Sequence, residues 1–406
     1  MLHCGLLGRK LGHSYSPAIH AAFGDYEYRL YEKEPEELDA FLTGGGFDGL
    51  NVTIPYKKDV IPYCAELSET ARRIGSVNTI VRRADGTLFG DNTDAFGFAC
   101  EISAAGIDPA GKKALVFGSG GASAAVCDVL RQMGANVTVI SRSGSDNYEN
   151  LDRHADAQLL VNTTPLGMFP NNGASPVDLS RFPACQGVLD VVYNPARTAL
   201  LLQAEALGIP HAGGLVMLVA QAARSSERFT GAAISTARQQ AVVRQLSVQM
   251  QNIILVGMPG CGKTTIGRAL AARLGREFYD ADCEIEKSAG MTIPEIFSRD
   301  GEARFREMES QTLRALGAHS ACVIATGGGS VLREENYAPL HQNGIIFWLQ
   351  RDTSALPSDG RPLSQAADLA AMYEARKPRY VRFADVRVNN DGAPDDALET
   401  ILEALQ

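Results

Sequence analysis

The chain lacks the marks of several protein classes. No stretch of its 406 residues approaches the ~20 consecutive apolar positions that a membrane span needs. The first dozen residues carry no long apolar run of the secretory kind, so a cytoplasmic location is expected. Basic residues do not predominate: the formal net charge is −9, both halves are mildly acidic, and no basic face is offered to DNA or RNA. The eight cysteines are scattered with no Cys-x-x-Cys pair and no zinc-finger spacing against the seven histidines, which reads as reduced thiols rather than a disulfide framework. His13, His20, His154 and His211 form no metal constellation. Fixed-period repeats and low-complexity tracts are also missing.

What is present is an ordinary globular composition, 45% hydrophobic and 21% charged, with 40 Gly and 18 Pro. At roughly 150 residues per domain, the length calls for two or three cores. Residues 112–142 read as strand (114–117), glycine turn, Ala-rich helix to Met133 and second strand (137–140), a βαβ unit. Upstream, apolar strands at 49–54 and 77–81 alternate with helical patterns at 35–42 and 58–67. Helices at 215–229 and 232–249 close this half. The pattern restarts at Asn252 with a strand (253–256), a glycine loop and a helix (264–274), so a second α/β domain begins there after a joint of only a few residues.

In that second half, Gly257-Met-Pro-Gly-Cys-Gly262-Lys263-Thr264 fits G-x-x-x-x-G-K-S/T, directly after a strand and opening a helix. The spacing suits nucleotide phosphates. Glycines such as Gly260 and Gly262 free backbone N–H groups to face them, Lys263 reaches the outer phosphates, and the Thr264 and Thr265 hydroxyls lie beside them, Thr264 being the Mg²⁺ ligand. Asp280-Ala-Asp282 ends the next strand, Phe305-Arg306-Glu-Met-Glu309 lies on a helix, and Gly327-Gly328-Gly329 follows the strand 323–325. Together with Arg361-Pro362 and Glu-Ala-Arg376-Lys-Pro-Arg-Tyr380, these residues make the half from Asn252 onward resemble shikimate kinase.

The resemblance implies ATP with Mg²⁺, Asp282 as the residue that orients and deprotonates the acceptor hydroxyl, and Arg306 and Arg376 as the grip on the substrate carboxylate. It makes Asp280 an organiser of Mg²⁺ through water, Gly328 and Gly329 the backbone beside substrate, and Arg361 a lid arginine over the transferred phosphate. The chemistry is reasonable in itself: guanidinium groups match a carboxylate with paired donors, and an Asp beside phosphates can take a proton. The stretch 349–361 is several residues shorter than the family's usual lid. Taken singly, each Arg also fits a solvated or ion-paired surface position.

In the first half, Gly118-Ser-Gly120-Gly121-Ala122-Ser-Ala124 joins strand to helix in the βαβ unit, a turn that lets pyrophosphate approach the helix N-terminus. About 20 residues on, where an NAD enzyme usually has Asp or Glu, stands Ser141-Arg142-Ser143, and an Arg there suits a 2′-phosphate. Gly12-His-Ser14-Tyr-Ser16-Pro17, Asn51-Val-Thr53-Ile-Pro-Tyr-Lys57, Ser76-Val-Asn78-Thr79 and Gly90-Asp-Asn-Thr-Asp94 surround it in the chain. With Asp190-Val-Val-Tyr193-Asn-Pro and Gly214-Leu-Val-Met217-Leu-Val-Ala-Gln221, they make this half resemble shikimate dehydrogenase.

That resemblance implies NADP(H), Lys57 and Asp94 as the catalytic pair, and Ser14, Ser16, Thr53, Asn78, Tyr193 and Gln221 on the substrate's carboxylate and hydroxyls. It implies cofactor contacts at Gly118, Gly120, Gly121, Ala122, Ser141 and Arg142, and no metal. Reducing a ketone needs a hydride on one face and a proton at the developing alkoxide, which an ammonium beside a carboxylate can supply. Two departures stand out: no second Arg follows closely after Arg142, and Ala95 replaces the common Gly after the catalytic Asp.

The expected architecture is therefore α/β throughout. A two-lobed dehydrogenase-like half (1–249) would have a substrate lobe from 1–97 and 213–249 around a Rossmann lobe at 98–212, fused to a P-loop kinase domain (250–406) with a five-stranded parallel sheet. The expected activity is reduction of 3-dehydroshikimate followed by phosphorylation of shikimate, on small molecules, with no nucleic acid or membrane partner. Three alternatives stay open: a first half that only binds or regulates, an NAD-dependent enzyme oxidising quinate or shikimate, and a nucleotide kinase in the second half.

Overall fold

The computed structural model describes residues 1–12, 14–356 and 369–405. His13 and Arg361 lie outside the described residues. The chain divides into two compact units, one of Met1–Met168, Ala174–Tyr193 and Leu200–Gln245, the other of Phe169–Gly173, Asn194–Ala199 and Leu246–Gln406.

The first unit holds two sheets. Strands β1 (His3–Gly8), β2 (Glu27–Glu32), β3 (Gly49–Val52), β4 (Glu66–Leu67), β5 (Thr79–Arg82) and β6 (Leu88–Asp91) are ordered β2-β1-β3-β5-β6-β4. In it β1 runs parallel to β2 and β3, and β5 runs antiparallel to β3 and β6. The second sheet is wholly parallel, β7 (Lys113–Phe117), β8 (Asn136–Ile140), β9 (Leu159–Asn162), β10 (Gly187–Asp190) and β11 (His211–Gly213), in the order β11-β10-β9-β7-β8.

Alternation along β7 explains how this sheet is covered on both faces. Ala114 and Val116 pack with Phe98, Ile102, Val126 and Leu130, while Leu115 and Phe117 pack on the other side with Leu200 and Leu201. The helix Asp94–Ala104 carries Phe98 and Ile102 into that core and lies against the helix Leu215–Thr230. Gly97 makes the close approach: a Cβ there would sit 2.6 Å from the Met217 carbonyl oxygen.

The stretch 58–67, expected to be helical, is instead a short 3-10 turn, Ile61–Tyr63, followed by β4. Pro62 supplies no N–H and disfavours helical backbone at Ile61, and Glu66 and Leu67 find partners in Phe89 and Gly90 of β6.

The second unit is built on one parallel sheet, β12 (Asn252–Val256), β13 (Glu277–Asp280), β14 (Cys322–Ala325), β15 (Gly344–Gln350) and β16 (Val386–Asn389), in the order β13-β14-β12-β15-β16. β12 is buried throughout. The connections leaving β12 and β14 run to opposite sides of the sheet, which opens a crevice at their carboxyl ends. The glycine loop after β12 and the glycine triplet after β14 both fall there.

Candidate active sites

In the first unit, Lys57 follows the turn after β3, and Asp94 opens the helix Asp94–Ala104. Lys57 Nζ lies 2.5 Å from Asp94 Oδ2, with the two side chains 18% and 10% exposed. The other Asp94 oxygen accepts from Asn78 Nδ2 at 2.8 Å, and the same amide reaches Gln221 Oε1 at 3.4 Å. Asn78 is held in turn through Oδ1, which accepts from the Thr93 N–H at 2.7 Å and from the Thr79 hydroxyl at 3.0 Å. Thr79 and Thr93 share Ser225 at 2.9 and 3.1 Å, and Asn51 donates to Ser225 at 2.7 Å.

An ammonium, two carboxamides and a carboxylate therefore meet over a buried polar lattice. Such a lattice fixes rotamers because each buried group has a partner it would lose by turning. Thr93, Thr79, Ser225 and Asn51 were absent from the sequence-based set. Three of the four sit inside quoted motifs, but Ser225 had no signal beyond standing one helical turn after Gln221.

Ser14, Thr53 and Tyr193 make no side-chain hydrogen bond to that network among the described residues, and Ser16 meets it through Tyr28, whose hydroxyl donates to Asn51 Oδ1 at 2.8 Å. Ser14 Oγ accepts from the Ser16 N–H at 3.2 Å just before the helix Ser16–Phe23, and Tyr15 between them meets the Tyr193 ring edge-on at 6.1 Å. Burial pushes the Tyr193 phenol up, with Tyr15 adding to the shift. Thr53 follows β3, its methyl packed beside Gly8.

The glycine turn after β7 caps the helix Gly121–Gln132, with Gly120 at its N-cap and Ala122 in the first turn. Gly118 has φ +108°, a backbone that favours glycine, and a Cβ there would lie 2.8 Å from Thr163 Oγ1. Space above Gly120 is open, and Lys57 Cδ would be 3.6 Å from a Cβ at Gly121, so this turn adjoins the catalytic candidate. Free helix N–H groups, open space and a neighbouring proton donor fit a dinucleotide. Ser141 and Arg142 follow β8, and Arg142 is exposed with no ion pair among the described residues.

In the second unit, a cleft of about 420 Å³ is lined by Gly260, Gly262, Lys263, Thr264, Thr265, Asp280, Asp282, Arg306, Glu309, Gly327, Gly328, Gly329 and Arg376. Every site residue expected here, apart from Arg361, comes together at this cleft. Gly262 has φ +101° at the N-cap of the helix Lys263–Leu274, which turns the loop into the helix start. Lys263 is buried and donates to the carbonyls of Gly257 at 2.9 Å and Met258 at 3.0 Å. Thr264 Oγ1 donates to Asp280 Oδ2 at 2.7 Å, and Asp280 Oδ1 caps the helix Ala281–Ala289 through the Asp282 N–H. These hard oxygen donors fit Mg²⁺ that keeps several waters.

Arg306 and Arg376 are both nearly buried, at 7% and 8% exposure. Arg376, on the helix Leu369–Phe383, donates to the Gly328 carbonyl at 3.1 Å beside the Tyr380 hydroxyl at 2.7 Å. Arg306 binds Glu309 at 2.8 Å and Glu302 at 3.2 Å. Burial pushes the Glu309 carboxyl up, Arg306 pulls it back, and the charge of Asp282 pushes it up further.

The glycine triplet is the surface on which these groups converge. A Cβ would meet Asp282 and Glu309 oxygens within 2.8 Å at Gly327, Pro259 at Gly328, and the Arg306 guanidinium at Gly329. Sequence reasoning gave no role to Glu309, Tyr380 or Asn390. Asn390 follows β16, donates to the Cys261 carbonyl at 2.7 Å and so pins the phosphate loop.

Comparison with known proteins gives a consistent pattern. The family model for shikimate kinase matches residues 259–406, and the one for the shikimate dehydrogenase substrate binding domain matches residues 6–80. A shikimate kinase of Ruegeria pomeroyi is 47% identical over 166 residues, covering 38% of this chain and 85% of the relative. A shikimate dehydrogenase (NADP(+)) of Symbiobacterium thermophilum is 38% identical over 262 residues, 56% of this chain and 88% of the relative. The crystal structure of shikimate 5-dehydrogenase from Thermus thermophilus in complex with NADP(H) and shikimate has 34% identity and a TM-score of 0.55, covering 60% of this chain and 99% of that one.

Proposed function

The chain belongs to two families, shikimate dehydrogenase over its first part and shikimate kinase over its last, and we infer that one polypeptide carries out two consecutive steps of the shikimate pathway. The first reduces 3-dehydroshikimate to shikimate with NADPH, and the second phosphorylates shikimate to shikimate 3-phosphate with ATP and Mg²⁺. The observation that carries this reading is the presence, in one chain, of a Lys57–Asp94 pair beside a dinucleotide turn and a phosphate-loop cleft with two buried arginines.

NADPH supplies the hydride and MgATP the phosphoryl group. In the reductase, Lys57 donates the proton to the oxygen of the ketone as hydride arrives, and Asp94 holds that ammonium and a substrate hydroxyl. Asn78 and Gln221 hydrogen-bond the ring hydroxyls, with Ser14, Ser16, Thr53 and Tyr193 taking the carboxylate end. Arg142 and Ser141 receive the 2′-phosphate, and Gly118, Gly120, Gly121 and Ala122 receive the pyrophosphate.

In the kinase, Arg306 and Arg376 clamp the shikimate carboxylate, a pairing that suits this small acid better than a nucleoside monophosphate. Asp282 accepts the proton of the attacking hydroxyl, while Lys263, Thr264 and the loop amides hold the phosphates. We assign ring binding in the reductase to residues 1–97 and 213–249, dinucleotide binding to 98–212 and the kinase to 250–406. A cytoplasmic location suits both cofactors, and no helix among the described residues is long and apolar enough to cross a membrane.

A one-pot reaction with 3-dehydroshikimate, NADPH and MgATP tests the reading, followed by NADPH absorbance and mass spectrometry of the phosphorylated product. Lys57→Met should remove reduction and spare phosphorylation, and Asp282→Asn should do the reverse. If NADPH stays constant while added shikimate is phosphorylated, the first half is a binding module.

A further inference from the structure

The loop after β8 carries two opposing charges. Arg142 is exposed and unpaired by any carboxylate among the described residues. Four residues on stands Asp146. The loop folds tightly: the Ser141 N–H reaches the Asp146 carbonyl at 3.2 Å, and a Cβ on Gly144 would sit 2.7 Å from Ser141 Oγ and 3.1 Å from that same carbonyl. Tyr148 anchors it, its ring stacked near Phe117 at the end of β7 with centroids 6.2 Å apart and its phenol feeling the charge of Arg142. Arg142 and Asp146 are thereby tied to one short turn beside the dinucleotide glycines.

One side of the Asp146 carboxylate is held. His154 Nε2 donates to its Oδ1 at 2.8 Å from a side chain only 12% exposed, while Oδ2 accepts from the Ser145 hydroxyl at 3.5 Å. The His154 Nδ1 is buried with no partner, so the ring has one polar role, which is to hold Asp146.

We propose that Asp146, positioned by His154, is a second determinant of cofactor choice that opposes Arg142. It repels the 2′-phosphate of NADP and offers an acceptor to the 2′-hydroxyl of NAD, so that the reductase takes both dinucleotides. This rests on the reductase reading above. A carboxylate fixed on the loop to which the reductase reading assigns the 2′-phosphate is the group that a 2′-hydroxyl wants and a 2′-phosphate avoids. Arg142 supplies the converse, and the balance of the two sets the ratio of affinities.

The test is the dissociation constant of the full-length protein for NADP⁺ and NAD⁺, each by calorimetry at pH 7.5. Asp146→Asn should tighten NADP⁺ and weaken NAD⁺, moving the NADP⁺ to NAD⁺ preference at least fivefold, whereas Arg142→Ala should weaken NADP⁺ at least tenfold and leave NAD⁺ within twofold. Loss of packing in the loop would weaken both ligands together and not move their ratio, so the ratio separates a specificity role from a structural one. Asp146→Ser, which keeps a small polar group, should shift the ratio in the same direction as Asn. If both Asp146 variants leave the ratio within twofold while Arg142→Ala changes it, the proposal fails and the reductase reading stands. If neither dinucleotide binds the unaltered protein, both fall together.

Discussion

Replacing Gly329 with Ala isolates the carboxylate grip of the kinase. Gly329 has φ −102° and ψ 1°, a backbone that alanine adopts without strain. The added methyl would stand 2.3 Å from Arg306 Nη1 and 2.5 Å from Nη2, well inside contact distance. The guanidinium must therefore move from its place in the cleft lining, against its ion pairs with Glu309 and Glu302. The phosphate loop is untouched. A lost hydrogen bond to a charged partner costs about 1.5–3 kcal/mol, which corresponds to a roughly 10- to 150-fold fall in kcat/KM for shikimate. Coupled kinase assays at varied shikimate and fixed saturating MgATP read this directly, with the KM for ATP expected within twofold of the unaltered protein. The reductase rate should not change. A kcat/KM within twofold of the original, in a protein that still binds ATP, would refute the placement of Arg306 on the substrate.

Other outcomes follow from the first unit. Gly97→Val should destabilise it by about 1–3 kcal/mol and slow reduction, because the side chain drives into the Met217 carbonyl and the Gln221 Cβ; urea unfolding and NADPH consumption measure the two effects. Glu101 is fully buried, and burial followed by the charge of Asp190 holds its carboxyl well above the usual carboxylate range. The native state keeps a proton there that the unfolded state releases, so its contribution is fully present below the unfolded value and is lost as pH rises towards the folded one. Glu101→Gln should therefore flatten the decline, by up to about 1.4 kcal/mol per pH unit, and melting curves should show its advantage widening from pH 5 to pH 8.

Local pattern made the two nucleotide turns legible, since strand, glycine loop and helix start are contiguous in sequence and each turn needs positive φ or open backbone at fixed offsets. Lys57, Asp94, Asp282, Arg306 and Arg376 were legible as members of short motifs. Their neighbours across the fold were not: Ser225 meets Asn51 across 174 residues, and nothing in its own surroundings marks it out. Glu309 sat inside a quoted motif, but only burial against Arg306 and Asp282 gives it weight. The misread segment 58–67 failed for the opposite reason. Its helical periodicity was real, and Pro62 together with pairing to β6 overrode it. Nothing in the sequence around Asp146 marks it either, and its setting comes from the contact with His154 eight residues on.

The amide of Asn390 that clamps Cys261 comes just after β16 and is made 129 residues after the loop residue it secures. During synthesis the phosphate loop emerges long before its clamp, with the neighbouring strand β15 also still to come. A nascent chain that has already produced the whole reductase and the loop motif therefore lacks a finished nucleotide cradle. The contact that pins the loop is completed only after β16 takes its edge position, and a ribosome-stalled fragment ending before Asn390 would carry the signature sequence without that clamp.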